Sequence, residues 1–153
     1  MTFDTLRPGL TAQLSLVVAE EHTAKHLGSG SVQVLATPQM ILLMERASVA
    51  AIDHFLPEGY RTVGVSLDVR HLAPTPVGFE VRATSELIEI DGRRLTCRVQ
   101  VHDGVELVGD GIHRRAIIDV RQFAERVAQK TANRSLPTGE AAVSCSAERG
   151  RVG

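Results

Sequence analysis

The sequence predicts an α+β fold in which an antiparallel sheet of five or six strands wraps around one long central helix. Three observations predict it: one strand-like stretch precedes a long apolar segment, four strand-like stretches follow it, and tight-turn signals separate the later ones. With 153 residues, 43% of them hydrophobic and 23% charged, the chain has the size and composition of a soluble globular domain.

The first strand follows a turn at Arg7-Pro8-Gly9. Its apolar residues alternate with polar neighbours, as in a half-buried strand: Ala12, Leu14, Leu16 and Val18. The next stretch, Glu20–Gly30, is polar and ends in Gly-Ser-Gly, so we predict a loop there.

The central helix is predicted over Ala36–Phe55. Thr37 and Pro38 are the residue types preferred at the N-cap and at the first helical position. The segment is apolar on nearly every side, which is typical of a buried helix. Glu45 is the exception, because a carboxylate is seldom buried without a partner.

The four later strands are Arg61–His71, Phe79–Ile90, a stretch around Leu95–Val101, and Leu107–Val120. The order of the segments predicts a four-strand meander. Period-two alternation in the first of these strands assigns one inner face: Val63, Val65, Leu67, Val69 and His71.

Three local signals refine these strands. The alternation slips at Leu87-Ile88, where we expect a bulge. Asp91-Gly92 and Asp103-Gly104 predict tight turns. Gly109 and Gly111 predict a kink in the last strand or a close approach of another backbone.

The C-terminal part is predicted to be a short helix over Phe123–Lys130 followed by a disordered tail. Residues 131–153 contain little apolar material and no periodicity. The predicted organisation is therefore one domain over residues 1–130 and a tail over residues 131–153.

The central helix also carries an argument about assembly. A helix that is apolar nearly all round cannot be covered completely by one five-stranded sheet. The sequence therefore predicts a homodimer, and it leaves open whether dimers pair further into tetramers.

Glu45 and His71 are the first candidates for chemistry. If the alternation holds, His71 points toward the helix that carries Glu45, and an imidazole opposite a carboxylate is a plausible general-base pair. The alternative is that the two side chains only satisfy each other in the core. Both interpretations stand at this level.

Thr37 has a structural and a functional interpretation. As an N-cap, its hydroxyl would accept a hydrogen bond from a free backbone N–H in the first turn of the helix, and the residue type alone favours this interpretation. A hydroxyl beside free backbone N–H groups can also help to hold a carbonyl oxygen that gains negative charge. Thr37 and Glu45 are separated by about 12 Å along a helix, so a site that uses both needs a bridge or a second protomer.

Other site classes find little support. The net charge of −1 and the 3% aromatic content do not favour nucleic acid or an anionic membrane. His22 and His26 have the spacing of a metal pair but lack a third ligand, so no metal is expected. Cys97 and Cys145 are far apart, and no signal peptide or membrane span is recognised, so we expect reduced thiols and a cytoplasmic protein.

Four segments together resemble the hotdog fold of acyl-CoA thioesterases, and within it the fluoroacetyl-CoA thioesterase group. They are ATPQMILLMERAS, RHLAPTPVG, EIDGRRLTCRVQVHDG and GDGIHRRAII. The resemblance covers roughly Leu6 to Lys130. It implies a catalytic set of Thr37, Glu45 and His71, with His71 as general base oriented by Glu45.

The resemblance further implies hydrolysis of an acyl-CoA without a metal or other cofactor, in a dimer that holds the substrate at its interface. Gly64 matches a glycine where the thioester passes close to the backbone. Arginines are candidates for the phosphates of coenzyme A, although a solvated sheet edge explains them equally well: Arg93, Arg94, Arg114 and Arg115.

One departure bears on the substrate. The fluoroacetyl-specific group has phenylalanines before the helix, whereas GSGSVQVLAT here has no aromatic residue, so a small or medium acyl group is expected. The alternatives are a non-catalytic acyl-CoA-binding dimer and an acyl-thioester hydratase.

Overall fold

The computed structural model describes residues 3–134 and contains one antiparallel sheet of five strands. The strands are β1 (Thr11–Val17), β2 (Tyr60–His71), β3 (Glu80–Asp91), β4 (Arg94–His102) and β5 (Leu107–Asp119). The helices are α1 (Ala24–Leu27), α2 (Thr37–Ile52) and α3 (Val120–Ala132), with 3-10 turns at Glu20–His22 and Asp53–Phe55. The predicted α+β class and the single long helix against an antiparallel sheet are confirmed.

The spatial order of the strands is β1-β3-β4-β5-β2, so the predicted four-strand meander is wrong. Only β3, β4 and β5 form a meander, and β2 pairs with β5 rather than with β3. Between β2 and β3 the chain passes across β5 and β4, and β2 lies at the edge of the sheet, where its outer side pairs with no strand among residues 3–134. Strand order depends on pairing between distant segments, and the sequence of β2 alone does not encode it.

Helix α2 covers the sheet with one face. Its buried residues recur at helical spacing: Met40, Leu43, Met44, Ala47, Ser48, Ala51 and Ile52. The opposite stripe contains Leu42, Glu45 and Val49 at positions i, i+3 and i+7. Leu42 and Val49 are exposed, and the Glu45 side chain is 37% exposed. The prediction that the helix is buried on every side is therefore wrong for a single chain. The exposed stripe of α2 nevertheless contains the apolar residues Leu42 and Val49.

Strand β2 changes phase at a bulge. Its register against β5 shifts between Gly64 and Ser66, and the extra residue, Val65, is 63% exposed. Before the bulge Thr62 is buried, and after it Val69 packs on the core. The prediction of one continuous inner face is therefore wrong, because one inserted residue reverses a period of two.

Local signals in the other strands are confirmed. The β3 register shifts between Leu87 and Glu89, at the predicted bulge. The predicted inner residues of β4, from Leu95 to Val101, are fully buried. A Cβ on Gly111 would lie 2.2 Å from the Asp68 carbonyl oxygen, so only glycine permits this approach of β2 and β5.

The predicted loop at Glu20–Gly30 contains a 3-10 turn and the short helix α1, so it is more ordered than predicted. The C-terminal helix is longer than predicted and includes Thr131 and Ala132. Residues 135–153 of the predicted tail lie outside the described residues. None of the helices described is long and apolar enough to cross a membrane.

Candidate active site

The start of α2 and the end of β2 meet at two polar side chains. Thr37 Oγ1 lies 2.8 Å from His71 Nδ1, which is hydrogen-bond distance. The predicted capping role of Thr37 is wrong: Ala36 is the N-cap and makes no side-chain cap, and Thr37 is the first helical residue. Its hydroxyl is therefore free to bond with the imidazole.

Backbone contacts hold this corner in place. Leu35 N donates to the Thr75 carbonyl at 2.8 Å, which ties the segment before α2 to the segment after β2. Thr75 Oγ1 in turn donates to the buried Asp103 carboxylate at 3.1 Å. The Thr37–His71 contact thus rests on an anchored pair of loops.

The environment of His71 favours a neutral imidazole. Burial lowers its pKa from the ordinary value, while a backbone hydrogen bond with Ala73 acts in the opposite direction. Nε2 is buried and has no hydrogen-bond partner among the described residues. A neutral imidazole next to a hydroxyl can accept its proton, as a general base does.

A pocket of about 350 Å³ opens beside the pair. Its lining includes Thr37 and His71 together with small or aliphatic side chains such as Ala24, Val34 and Ala73. A hydroxyl and an imidazole at the wall of an open pocket with both polar and apolar lining are accessible to a small molecule.

Glu45 does not join this corner within the chain. Its Oε2 lies 3.5 Å from Arg115 Nη1, and a Cβ on Gly64 would lie 3.0 Å from the same oxygen. The prediction that His71 faces Glu45 is wrong for a single chain. His71 contacts the first residue of α2, two turns before Glu45.

Glu45 instead forms a second corner with Gly64 and Arg115. The guanidinium is only 4% exposed, and its Nε and Nη2 donate to the hydroxyl and carbonyl of Thr62 at 2.8 and 3.0 Å. Thr62 is held by the Asp53 carboxylate, which accepts from both its N–H and its hydroxyl.

His113 completes the second corner and was not among the site residues predicted from the sequence. Its Nε2 lies 3.0 Å from Arg115 Nη1 and its Nδ1 lies 3.0 Å from the Ser66 carbonyl oxygen. The available signal was the alternation in β5, which assigns His113 and Arg115 to the inner face beside apolar Ile117. Polar residues on a buried face require partners.

The arginines predicted to bind substrate do not all share one place. Arg94, Arg114 and Arg115 line one pocket of about 610 Å³ together with the carboxylates of Glu89 and Asp91. Arg115 also contacts Glu45 on the inner side of the sheet. Arg93 lies over the rings of Phe3 and Tyr60, with the centroids 6.0 and 5.8 Å away.

Three further observations concern metal-binding and thiol chemistry. Within residues 3–134, no group of three or more His, Cys, Asp or Glu side chains is close enough together to hold a metal ion. His22, whose spacing from His26 is that of a metal pair, accepts a hydrogen bond from Ala19 N through Nδ1 at 2.9 Å. Cys97 is buried, and burial raises the pKa of its thiol.

Comparison with known proteins gives consistent matches. Residues 18–121 match the family model described as fluoroacetyl-CoA-specific thioesterase. The fluoroacetyl-CoA thioesterase of Streptantibioticus cattleyicolor is 40% identical over 134 residues, which are 84% of this chain and 96% of that protein.

Solved structures extend the match to the fold. A fluoroacetyl-CoA thioesterase variant in complex with acetyl-CoA is 39% identical, covers 82% of this chain and 99% of its own, and has a TM-score of 0.77. A hot-dog-like protein from Thermanaerovibrio acidaminovorans has a TM-score of 0.80 over 88% of this chain and all of its own. Its identity of 24% supports the shared fold alone.

Proposed function

The chain belongs to the fluoroacetyl-CoA-specific thioesterase family and hydrolyses acyl-CoA thioesters, and we propose that Thr37 and His71 of one protomer act together with Glu45 of a second. The observation that carries the proposal is the 2.8 Å contact between Thr37 Oγ1 and His71 Nδ1 at the wall of the pocket. The predicted hotdog fold and thioesterase resemblance are confirmed.

In the proposed reaction, His71 Nδ1 accepts a proton as oxygen attacks the thioester carbonyl. The attacking oxygen is either Thr37 Oγ1, which forms an acyl ester that water then cleaves, or a water molecule held by Thr37. In the first turn of α2, Pro38 has no N–H, and the N–H groups of Gln39 and Met40 donate to the Ala36 carbonyl. The Thr37 N–H, which has no hydrogen-bond partner among the described residues, is therefore the backbone donor proposed to stabilise the oxyanion. The thiolate of coenzyme A leaves and takes the proton from His71. With water as the nucleophile, this step gives the carboxylate and free coenzyme A. With Thr37 as the nucleophile, His71 then takes a proton from the water that attacks the ester and returns it to Thr37 Oγ1, which releases the carboxylate.

A second copy is needed to bring Glu45 to this chemistry. Thr37 and Glu45 are separated by about 12 Å along α2, and the exposed stripe on α2 has Glu45 between Leu42 and Val49. The outer edge of β2, which pairs with no strand of the described residues, offers backbone groups for a second β2. Antiparallel pairing of two β2 edges would bring the His71 end of one copy toward the Gly64–Ser66 bulge of the other, where Glu45 lies.

Mixing two inactive variants tests the shared site. Glu45→Ala and His71→Ala should each be folded and nearly inactive. After the two are unfolded and refolded together, hybrid dimers carry one complete site, and a 1:1 mixture should recover about a quarter of the wild-type rate. Each variant refolded alone is the control. A mixture no more active than its components contradicts the shared site.

We further propose that the acyl group is small or medium in size. The segment before α2 contributes Ser29 and Val34 to the pocket and no aromatic residue, which leaves room beside His71. Thiol release across a series of acyl-CoAs from acetyl to long-chain and aryl tests this proposal, with an enzyme-only blank for Cys97 and Cys145. A rate that is highest for long-chain or aryl substrates contradicts it.

A further inference from the structure

We infer that His113 is a positioning residue that fixes the guanidinium of Arg115 and, through it, the carboxylate of Glu45. This inference rests on the proposed role of Glu45. The observation that supports it is that each ring nitrogen of the fully buried His113 lies 3.0 Å from a hydrogen-bond partner. One partner can only accept a hydrogen bond, and the other can only donate one.

The partners determine which nitrogen carries the proton. The Ser66 carbonyl oxygen can only accept, so His113 Nδ1 must donate to it. The Arg115 guanidinium can only donate, so His113 Nε2 must be the unprotonated nitrogen that accepts. His113 is therefore a neutral imidazole in one defined tautomer, and burial, the largest cause, lowers its pKa in agreement with this state.

The bulge in β2 supplies one of these partners. The register between β2 and β5 shifts between Gly64 and Ser66, and the Ser66 carbonyl accepts from the imidazole. The same bulge leaves Gly64 facing the carboxylate of Glu45, where a Cβ would lie 3.0 Å from Oε2 and 3.4 Å from His113 Cε1. One local distortion of β2 thus joins the histidine and the glycine.

Arg115 is held from both sides. Thr62 accepts from Nε and Nη2, and His113 accepts from Nη1. Nη1 carries two hydrogens, so the second remains for Glu45 Oε2 at 3.5 Å. Without the acceptor on His113, Nη1 would lose one of its two contacts, and the guanidinium beside Glu45 would be held from the Thr62 side alone.

Two substitutions of similar size separate this role from simple packing. His113→Gln keeps an acceptor at the position of Nε2 and loses the ring donor to Ser66. His113→Asn keeps a donor at the position of Nδ1 and loses the acceptor for Arg115. Each removes one hydrogen bond and part of the ring, so the two variants should lose similar thermal stability.

The expected result is a difference in kcat. Misplaced catalytic groups cost rate steeply, so His113→Asn should lower kcat by on the order of ten- to a hundredfold, with KM within about threefold of wild type. His113→Gln should keep kcat within about threefold. In an Arg115→Lys background, His113→Asn should cause no additional loss, because its effect passes through Arg115.

Other results would overturn the inference. Equal losses of kcat in the two variants would make His113 a packing residue only. A Glu45→Ala variant with wild-type kcat would contradict the proposed role of Glu45 itself, which is a separate failure. If a variant does not fold, the long-range ¹H–¹⁵N spectrum of the wild-type imidazole decides, because a protonated Nε2 excludes an acceptor for Arg115.

Discussion

The two polar corners of the inner sheet surface are built in opposite ways. At the Thr37–His71 corner, one side-chain hydrogen bond joins the pair, Thr37 is exposed, and His71 Nε2 has no partner among the described residues. At the Glu45–Arg115 corner, the guanidinium contacts Thr62, His113 and Glu45 and is almost fully buried.

The difference separates two tasks. A group whose hydrogen bonds are all used has a fixed direction but no spare capacity to exchange a proton. A group with an unused acceptor or donor next to a pocket can take part in a reaction. We therefore assign proton transfer to the first corner and orientation of the reacting groups to the second.

Of the changes considered, removal of the His71 imidazole should lower kcat the most. His71→Ala should lower kcat by on the order of a thousandfold, within the usual contribution of a general base, and thiol release from a preferred acyl-CoA measures it.

Two variants test the Thr37 hydroxyl as a matched pair. Thr37→Ser keeps an oxygen that can bond with His71 Nδ1, whereas Thr37→Val does not. Equal activity of Thr37→Ser and Thr37→Val would contradict the role of the hydroxyl.

A smaller change tests how rigid the second corner is. Gly64→Ala places a Cβ 3.0 Å from Glu45 Oε2, closer than side chains normally pack, so the carboxylate must move. We expect kcat to fall on the order of tenfold, because misplacement of a catalytic group slows the reaction. Gly30→Ala is the control: its Cβ would meet the Ala24 side chain at an ordinary 3.4 Å, and its kcat should stay near wild type. A Gly64→Ala variant with wild-type kcat would show that the corner tolerates displacement.

The smallest expected effect is a change in the free energy of unfolding with pH, to which one histidine from each corner contributes. Burial lowers the folded-state pKa of both His71 and His113, whereas the unfolded chain has the ordinary value of about 6.5. Below pH 6.5 the unfolded state therefore binds more protons than the folded state, and the free energy of unfolding falls as the pH falls. Denaturant unfolding at pH 7.5 and at pH 5.5 measures this change. Both pH values lie above the range in which most carboxylates titrate.

A variant and a rate profile sharpen the pH prediction. His113→Gln should reduce the loss of stability between the two pH values, because one of the two histidines no longer titrates. The acid limb of kcat/KM should lie below pH 6.5, because His71 stays neutral to a lower pH than a free imidazole. A stability that rises as the pH falls to 5.5 would contradict the assigned directions.

Much of the fold could be predicted because its signals are local. The inner face of β4 follows period two from Leu95 to Val101 without interruption, and those residues are buried as predicted. The bulge after Leu87 was visible as a slip of the same period. The presence of Thr37 and His71 in one site came from the resemblance, and the contact between them agrees with it.

Other features depend on contacts between distant residues. The bulge at Val65 does not interrupt the alternation of valines in β2, since an apolar residue stands at the extra position. The partner of Glu45 on α2 is Arg115 on β5, which is 70 residues away, and neither segment alone encodes that contact. Thr37 has the residue type of a cap, and only the position of His71 gives its hydroxyl another partner.

The outer edge of β2 has a consequence for how the enzyme responds to dilution. In the proposed dimer this edge joins the copies and also borders the active site, so association and catalysis depend on the same surface. Mass action then makes specific activity a function of protein concentration, with a decline once the concentration falls below the dissociation constant. Substrate bound across both copies would shift that equilibrium toward the dimer, so the loss on dilution should be smaller when acyl-CoA is present in excess.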